Sequence, residues 1–355
     1  MEPNKSLIYK AETLYLPVPG EHLTVEDRPF DPKAAPPAGG LSVKNLFLSL
    51  DPSHRGQMYK PYETYSYAVP WVLGQPARVT TLGSVIQSDN AGFKPGDLIL
   101  AFTVGAAAEY TTITADQLPL VQVLALPEGV PPELLPPSRI LSALGVPGLS
   151  AYESFFEYVK EPREGKTIFI TAASGAVGQF VGQLAKMHGM KVIGSTGSQE
   201  KVDFVVKELG YDAAWNYKTE KTSEALAKYA PEGLDVYYDN VGGEQLEAAL
   251  KHMKDFGTVI SSGMVAVYGT PDEEKYGVRT LMEIFLRRLT VQGFICSDPH
   301  LIQKYMPTFA RDMIGWIAQG KIKTKEHVVV GIENAPQALV DMWTGKKFGK
   351  MVVQV

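Results

Sequence analysis

The chain has 355 residues, 45% of them apolar and 21% charged, with a net charge of −5. The length suggests two domains, and the composition is that of a soluble globular protein. The charge gives no pull toward nucleic acid or an anionic membrane, no apolar run reaches spanning length, and the polar start Met1, Glu2, Pro3, Asn4, Lys5 has no signal-peptide core, so a cytoplasmic protein with no membrane or nucleic-acid partner is expected.

Residues 1–136 read as β-rich and proline-rich. The run 41–50 is a strand candidate that meets Asp51 and Pro52; 83–87 is a second, the turn 92–97 delivers a third at 98–102, and 109–113 follows. Short strands between Gly, Pro and Asp turns indicate a small barrel or sandwich. Pro127, Pro131, Pro132, Pro136 and Pro137 then break the pattern, as suits a domain connection. Residues 137–303 alternate strands and helices. Strands are expected at 167–170, 191–194, 213–216, 234–239, 258–261 and 289–294, with helices around 199–209, 221–230, 243–254 and 278–288. Six strands with intervening helices is the doubly wound nucleotide-binding pattern. A helix over 305–317, a strand at 327–330, a helix over 336–343 and a strand at 350–355 close the chain. This tail is expected to rejoin the first domain, so that 1–136 and 304–355 form one domain and 137–303 is inserted in it.

The inserted domain opens on a run of β-branched and apolar residues, Thr167, Ile168, Phe169 and Ile170, that reads as a buried parallel strand. A small-residue turn follows, Ala173, Ser174, Gly175, Ala176, Val177, Gly178, in the pattern Ala-x-Gly-x-x-Gly. Phe180, Val181, Leu184 and Ala185 then recur at helical spacing up to Gly189, a C-terminal cap. Strand, small turn and helix N-terminus together make a diphosphate site, because backbone N–H groups and the helix dipole face the phosphates. An ordinary tight turn is the alternative; the strand before and the helix after it favour dinucleotide binding.

The next strand ends Gly194, Ser195, Thr196, Gly197, Ser198, with no acid to hold ribose hydroxyls. Hydroxyls from Ser195, Thr196 and Ser198, with Lys201 one turn into the following helix, fit a 2′-phosphate, so NADP(H) is the expected cofactor. The single cysteine, Cys296, excludes an intrachain disulfide and any multi-cysteine zinc site. The six histidines include no close pair, so no metal is expected.

Residues 172–178, 194–201, 216–218, 239–243, and Phe256 with Gly257, in this order, resemble the zinc-independent medium-chain dehydrogenase/reductases. The nearest branch is the leukotriene B4 dehydrogenase/prostaglandin reductase and alkenal double-bond reductase group. The likeness spans nearly the whole chain, including Ser49 to Pro52 with Arg55 and Gly56, the turn 92–97, and the terminal run from Gly349. The resemblance implies an α/β fold in which a Rossmann doubly wound parallel sheet is inserted in a GroES-like β-rich barrel domain, with NADPH in the cleft between them. It implies that Lys201 and Tyr217 contact the adenosine phosphate region and that Asn240 and Gly242 line the cofactor. Phe294 and Cys296 would flank the nicotinamide, and Tyr268 would face the substrate carbonyl. Two departures bear on the substrate. The family usually has Asp-Pro-Tyr-Met-Arg where this chain has Asp51, Pro52, Ser53, His54, Arg55, and often an Asn near the nicotinamide where it has Lys347. Ser53, Arg55, Tyr62, Tyr65 and Tyr268 are thus the expected substrate-binding residues. A homodimer built through the nucleotide domains is also implied, with the strand near 289–296 pairing across a two-fold axis.

The reaction so implied is conjugate reduction of an α,β-unsaturated ketone or aldehyde, with hydride passing from nicotinamide C4 to the β-carbon. Charge then develops on the carbonyl oxygen, so the site needs a hydrogen-bond donor there, and Tyr268 is the expected catalytic residue. Tyr59, Tyr62, Tyr65, Tyr67 and Trp71 crowd one loop, which suits either a flat conjugated substrate or a packed cover over the barrel. An NADPH:quinone reductase and a non-catalytic NADP-binding sensor remain alternatives on the same cofactor motif.

Overall fold

A computed structural model describes residues 1–58, 67–124 and 130–355. The chain divides into two compact units, residues 1–146 with 326–355, and residues 147–325. The first opens with an antiparallel ribbon of β1 (Lys5–Tyr9) and β2 (Leu23–Asp27). There follow β3 (Leu41–Ser49), a single turn α1 (His54–Gln57), β4 (Arg78–Ser88), β5 (Leu98–Ala106), β6 (Tyr110–Ile113), β7 (Val121–Val123) and a second single turn α2 (Pro137–Arg139). Helix α3 (Val146–Tyr158) leads into the second unit.

The second unit alternates β8 (Thr167–Ile170), α4 (Gly178–Met187), β9 (Lys191–Thr196), α5 (Gln199–Lys207), β10 (Ala213–Asn216), α6 (Thr222–Tyr229), β11 (Leu234–Asp239), α7 (Gly243–His252) and β12 (Met253–Ser261). A short α8 (Met282–Leu286), β13 (Thr290–Gly293) and the long α9 (Pro299–Ala318) complete it. Its six strands are parallel in the order β10-β9-β8-β11-β12-β13. This is the doubly wound sheet the alternation predicts, with the order reversing between β8 and β11. All four residues of β8 are buried, as a central parallel strand covered on both faces requires. On one face Phe169 stacks on Trp215 and Tyr237, with ring centroids 4.9 and 5.1 Å apart. Gly189 ends α4 at a φ of +73°.

The chain returns to the first unit with β14 (Glu326–Val330), α10 (Ala335–Trp343) and β15 (Lys350–Gln354). They complete a seven-stranded sheet in the order β14-β15-β3-β4-β5-β7, with β6 also on β3. The return comes later than the expected boundary at 304, which falls inside α9. The reason is packing: the rings of Tyr305 and Phe309 lie 6.0 and 5.6 Å from that of Tyr152 in α3, and the Tyr152 hydroxyl donates to Asp312 at 2.7 Å. Sequence periodicity gives no sign of α3 because residues 147–155 are buried on every side, which leaves no apolar stripe.

Candidate functional site

The turn after β8 is built for close approach. Ala172 takes a φ of +50°, a conformation non-glycine residues rarely hold, and its carbonyl accepts from Gly175 N–H at 2.8 Å. A Cβ on Gly178 would lie 2.5 Å from Ala172 O and 2.9 Å from Ala173 Cα, so only glycine lets the chain close here. Helix α4 starts at that residue, with Val177 as its N-cap and Ala176 before it; the N–H groups of Gln179 and Phe180 bond back to Gly175 O and Val177 O, and the positive end of the helix dipole lies at this turn. A buttress holds the helix start from below. The Tyr211 hydroxyl donates to Gly178 O at 2.8 Å, and its ring fills the room left by the missing side chains of Gly182 and Gly194.

That packing corrects the expected roles at the end of β9. Gly194 has no open face: a Cβ there would lie 2.6 Å from Ala173 Cβ and 2.7 Å from the Tyr211 ring. Ser195 is fully buried, and its hydroxyl is given to Gln245 Oε1 at 2.5 Å, so it has none to offer a phosphate. Thr196 is buried too, with its hydroxyl on Ser198 O. Ser198 caps α5 by accepting from Lys201 N–H at 3.4 Å. What faces outward is cationic. Burial first, and then the charge of Lys218, push Lys201 below the usual lysine range. The Tyr217 ring and the Lys218 stem approach Gly197, 3.4 to 3.6 Å from where a Cβ would stand. Lys218 is therefore a second cation beside Lys201. Sequence reading passed over it, although it sits next to Tyr217.

At the middle of the sheet, where its strand order reverses, Asn240 joins β11 to β8. Its backbone N–H donates to Thr171 Oγ1 and its side-chain amide to Thr171 O, both at 2.8 Å. Asp239 Oδ1 accepts from the N–H groups of Val241 and Gly242 at 2.9 and 2.8 Å, and Gly242 turns the chain at a φ of +73°. The loop after β12 is stitched to this turn: Ser262 and Gly263 donate to Asp239 O, Val265 to Asn240 O, and Ala266 to Val241 O. Tyr268 ends that loop, half-buried, with its hydroxyl 3.8 Å from where a Gly263 Cβ would sit. Phe294 and Cys296 are half-buried after β13, with the Phe294 ring 5.8 Å from that of Tyr158.

In the first unit, α1 gathers the expected acceptor residues. Ser53 precedes it, half-buried and making no cap hydrogen bond. Arg55 is fully buried, and Nη2 donates to the carbonyls of Thr13 and Tyr15 at 2.8 Å each. Its visible work is to hold the 13–15 segment rather than to meet a ligand directly. Lys347 is half-buried between α10 and β15. Tyr59, Tyr62 and Tyr65 lie outside the described residues. Of that aromatic run, Tyr67 is exposed, while Trp71 is buried and donates its indole N–H to Arg78 O.

Residues 176–311 match the family described as "Zinc-binding dehydrogenase", and residues 26–121 match "N-terminal domain of oxidoreductase". "NADP-dependent oxidoreductase RED1" of Cochliobolus heterostrophus is 42% identical over 355 residues, 100% of this chain and 98% of that protein. The chain belongs to the medium-chain dehydrogenase/reductase family. Within it, "2-alkenal reductase (NADP(+)-dependent)" of Nicotiana tabacum is 40% identical over 88% of this chain and 86% of its own length. The crystal structure of CurA from Vibrio vulnificus in complex with NADPH superposes with a TM-score of 0.84 and 31% identity, over 99% of each chain. The chain is thus an oxidoreductase of the alkenal and enone reductase group, and its α/β fold has the β-rich GroES-like domain and the six-stranded parallel Rossmann sheet expected from the resemblance. Zinc belongs to the family's description; among the described residues no three His, Cys, Asp or Glu side chains gather as a metal site. No helix among them is long and apolar enough to cross a membrane.

Proposed function

We propose that this medium-chain reductase saturates the C=C bond of α,β-unsaturated ketones and aldehydes at the expense of NADPH. The observation that carries the reading is the loop ending at Tyr268, which four backbone hydrogen bonds fasten to the 239–241 turn at the sheet's switch point. That anchoring delivers a phenol donor to the end of the sheet where ligands of such folds bind. NADPH, when bound, supplies the hydride that the β-carbon receives. As the β-carbon is reduced, negative charge grows on the substrate's carbonyl oxygen, and the Tyr268 O–H stabilises it by donating a hydrogen bond. The α-carbon takes its proton from that phenol or from water.

The residues present fit the cofactor. Ala173, Gly175, Ala176, Val177 and Gly178 form a turn that a single Cβ at 178 would fill, as a diphosphate cradle requires. Lys201 and Lys218, with Tyr217 beside them, supply the positive charge that a 2′-phosphate needs. Asn240, Gly242, Phe294 and Cys296 line the nicotinamide half, and Ser53 and Lys347 shape acceptor choice. Arg55 acts there as a positioning residue, through the 13–15 segment. The unit of residues 147–325 is the NADP-binding domain, and residues 1–146 with 326–355 the catalytic one.

We also propose a homodimer. Strand β13 is an edge strand with Val291 exposed, and the segment that precedes it in the chain exposes Leu281, Met282, Phe285 and Leu286. An open edge with so much apolar surface is a pairing site, and a second copy related by a two-fold axis would pair β13 with β13.

One assay tests the reaction. The protein is mixed with NADPH and, in separate arms, a 2-alkenal, a benzylidene ketone and a benzoquinone; NADPH loss is followed and products are identified. A saturated carbonyl product is expected. Turnover of the quinone alone would replace the reading with quinone reduction, and NADPH binding without turnover would favour a sensor. NADH working as well as NADPH would remove the roles of Lys201 and Lys218.

A further inference from the structure

Behind the Tyr268 loop lies a buried polar chain that the proposed reaction does not use. Ser154 of α3 and Tyr238 of β11 are both fully buried, and their hydroxyl oxygens are 2.8 Å apart. The Tyr238 hydroxyl donates on to Ser262 Oγ at 3.3 Å, at the first residue after β12. At the other end the single Ser154 proton is shared between Ser150 O, 2.6 Å away, and the Tyr238 oxygen. Two fully buried hydroxyls, with the half-buried Ser262 at their outer end, are costly unless each is satisfied, and a satisfied chain fixes the groups it joins. This chain joins helix α3, the middle of the sheet and the root of the loop that leads to Tyr268.

Its chemistry limits what it can do. The inner end is the carbonyl of Ser150, which carries no proton, so the chain leads nowhere as a proton wire. Burial, opposed by the two serine hydroxyls and reinforced by the nearby Cys296 thiol, pushes the Tyr238 phenol up to about 12, so it stays protonated at working pH. A neutral phenol held by two serines is an orienting group.

We propose that Tyr238 is a positioning residue for the reduction: through Ser262 its hydroxyl fixes the root of the 262–268 loop and so sets where the Tyr268 phenol stands. The backbone bonds from Ser262 and Gly263 to Asp239 O hold this loop from the turn side. The Tyr238 hydroxyl holds the same residue from the core side, and the two together leave Ser262 little freedom. The inference rests on the reading of Tyr268 as the carbonyl donor.

The test is a double-mutant cycle on kcat for a benzylidene ketone, with KM for NADPH and thermal unfolding measured alongside. Tyr238→Phe is expected to lower kcat about tenfold, the scale set by one hydrogen bond of ordinary net strength, with KM for NADPH and the unfolding temperature little changed. In a Tyr268→Phe background the same substitution is expected to lower kcat no further. Equal falls in both backgrounds would mean general support of the core and would overturn the inference, as would no fall in either. Ser262→Ala and Ser154→Ala go through the same cycle, so poor folding of one variant leaves the question answerable. Ser262→Thr, which keeps the hydroxyl, is expected to retain activity. Full activity in Tyr268→Phe alone would remove the donor reading and this inference with it. A crippled Tyr268→Phe beside an unaffected Tyr238→Phe would remove only the inference.

Discussion

The turn after β8 and the turn after β3 each hold a site segment still, but with different materials. The first is made of backbone and absent side chains: Gly178 closes it, and Gly182 and Gly194 admit the Tyr211 ring that braces it. The second is made of buried charge. Lys350, fully buried, donates to Leu50 O and Asp51 Oδ1 at 2.6 Å each, and Ser49 donates to Asp51 Oδ2. His54 accepts from the Asp51 backbone and lies against Trp71, and Arg55 reaches the 13–15 segment. Burial works against the Asp51 carboxylate, but Lys350 and then His54 outweigh it and hold it down at about 2. Closely packed glycine tolerates no added atom; a buried ion pair tolerates no lost partner. The two turns should therefore fail in different ways.

The largest effect is expected at Lys350. Lys350→Met leaves the Asp51 carboxylate buried without its cation, which costs about 3–5 kcal/mol of stability. Urea denaturation would show it, with the loss greatest near neutral pH. The wild-type group has a folded value below its unfolded one, so its contribution is complete above the ordinary aspartate range and disappears as pH falls toward about 2. A Lys350→Met protein of wild-type stability would mean that the pair is not what holds this turn.

Next is Gly178→Val in the other turn. The branched side chain cannot fit between Ala172 O and Ala173 Cα, so the cradle must open. NADPH affinity, read by fluorescence titration, is expected to fall about a hundredfold or more, the scale of several lost backbone contacts to phosphate. Stability should fall less than in Lys350→Met. The reverse order would erase the contrast between the turns.

This contrast also explains what could be read from the sequence. The cradle is local: strand, small-residue turn and helix lie within residues 167–189, and a spacing rule finds them. The turn after β3 depends on Asp51 and Lys350, 299 residues apart. Nothing near either residue announces the other, and both would ordinarily be read as surface charges. Arg55 was legible as a position but not in its role, which depends on carbonyls of residues 13 and 15. The hydroxyl of Ser195 is hidden from sequence for a related reason. Period and composition show that Ser195 lies on a strand, but not that Gln245 takes its hydroxyl. Lys218 was missed because its pairing with Lys201 is made by the parallel neighbours β9 and β10.

A smaller effect divides the cofactor site. Lys201→Ala and Lys218→Ala are each expected to raise KM for NADPH about tenfold to a hundredfold, the scale of a charge-assisted hydrogen bond, while leaving KM for NADH unchanged. Steady-state kinetics with the two cofactors measures this. Equal changes with both cofactors would show that the lysines support the fold rather than a 2′-phosphate.

The smallest effect tests a buried acid for which the described residues offer no partner. Glu153 in α3 is fully buried, and among the described residues neither carboxyl oxygen has a hydrogen-bond partner. Burial first, and then Asp298, push its carboxyl up to about 8. Here the sign is opposite to that of Asp51. The folded state holds its proton over a range in which the unfolded chain has lost it, so this group makes stability fall as pH rises from the ordinary glutamate range to about 8. Glu153→Met removes both the unsatisfied acid and the titration. It is expected to stabilise the protein by about 1–2 kcal/mol, the scale of one unsatisfied buried group, with a larger gain at pH 8 than at pH 5 in parallel urea melts. An equal gain at the two pH values would mean that the acid does not titrate in the folded protein. A loss at pH 8 would mean that Glu153 has a partner worth keeping, as Lys350 has in Asp51, and the second unit too would then rest on paired buried charge.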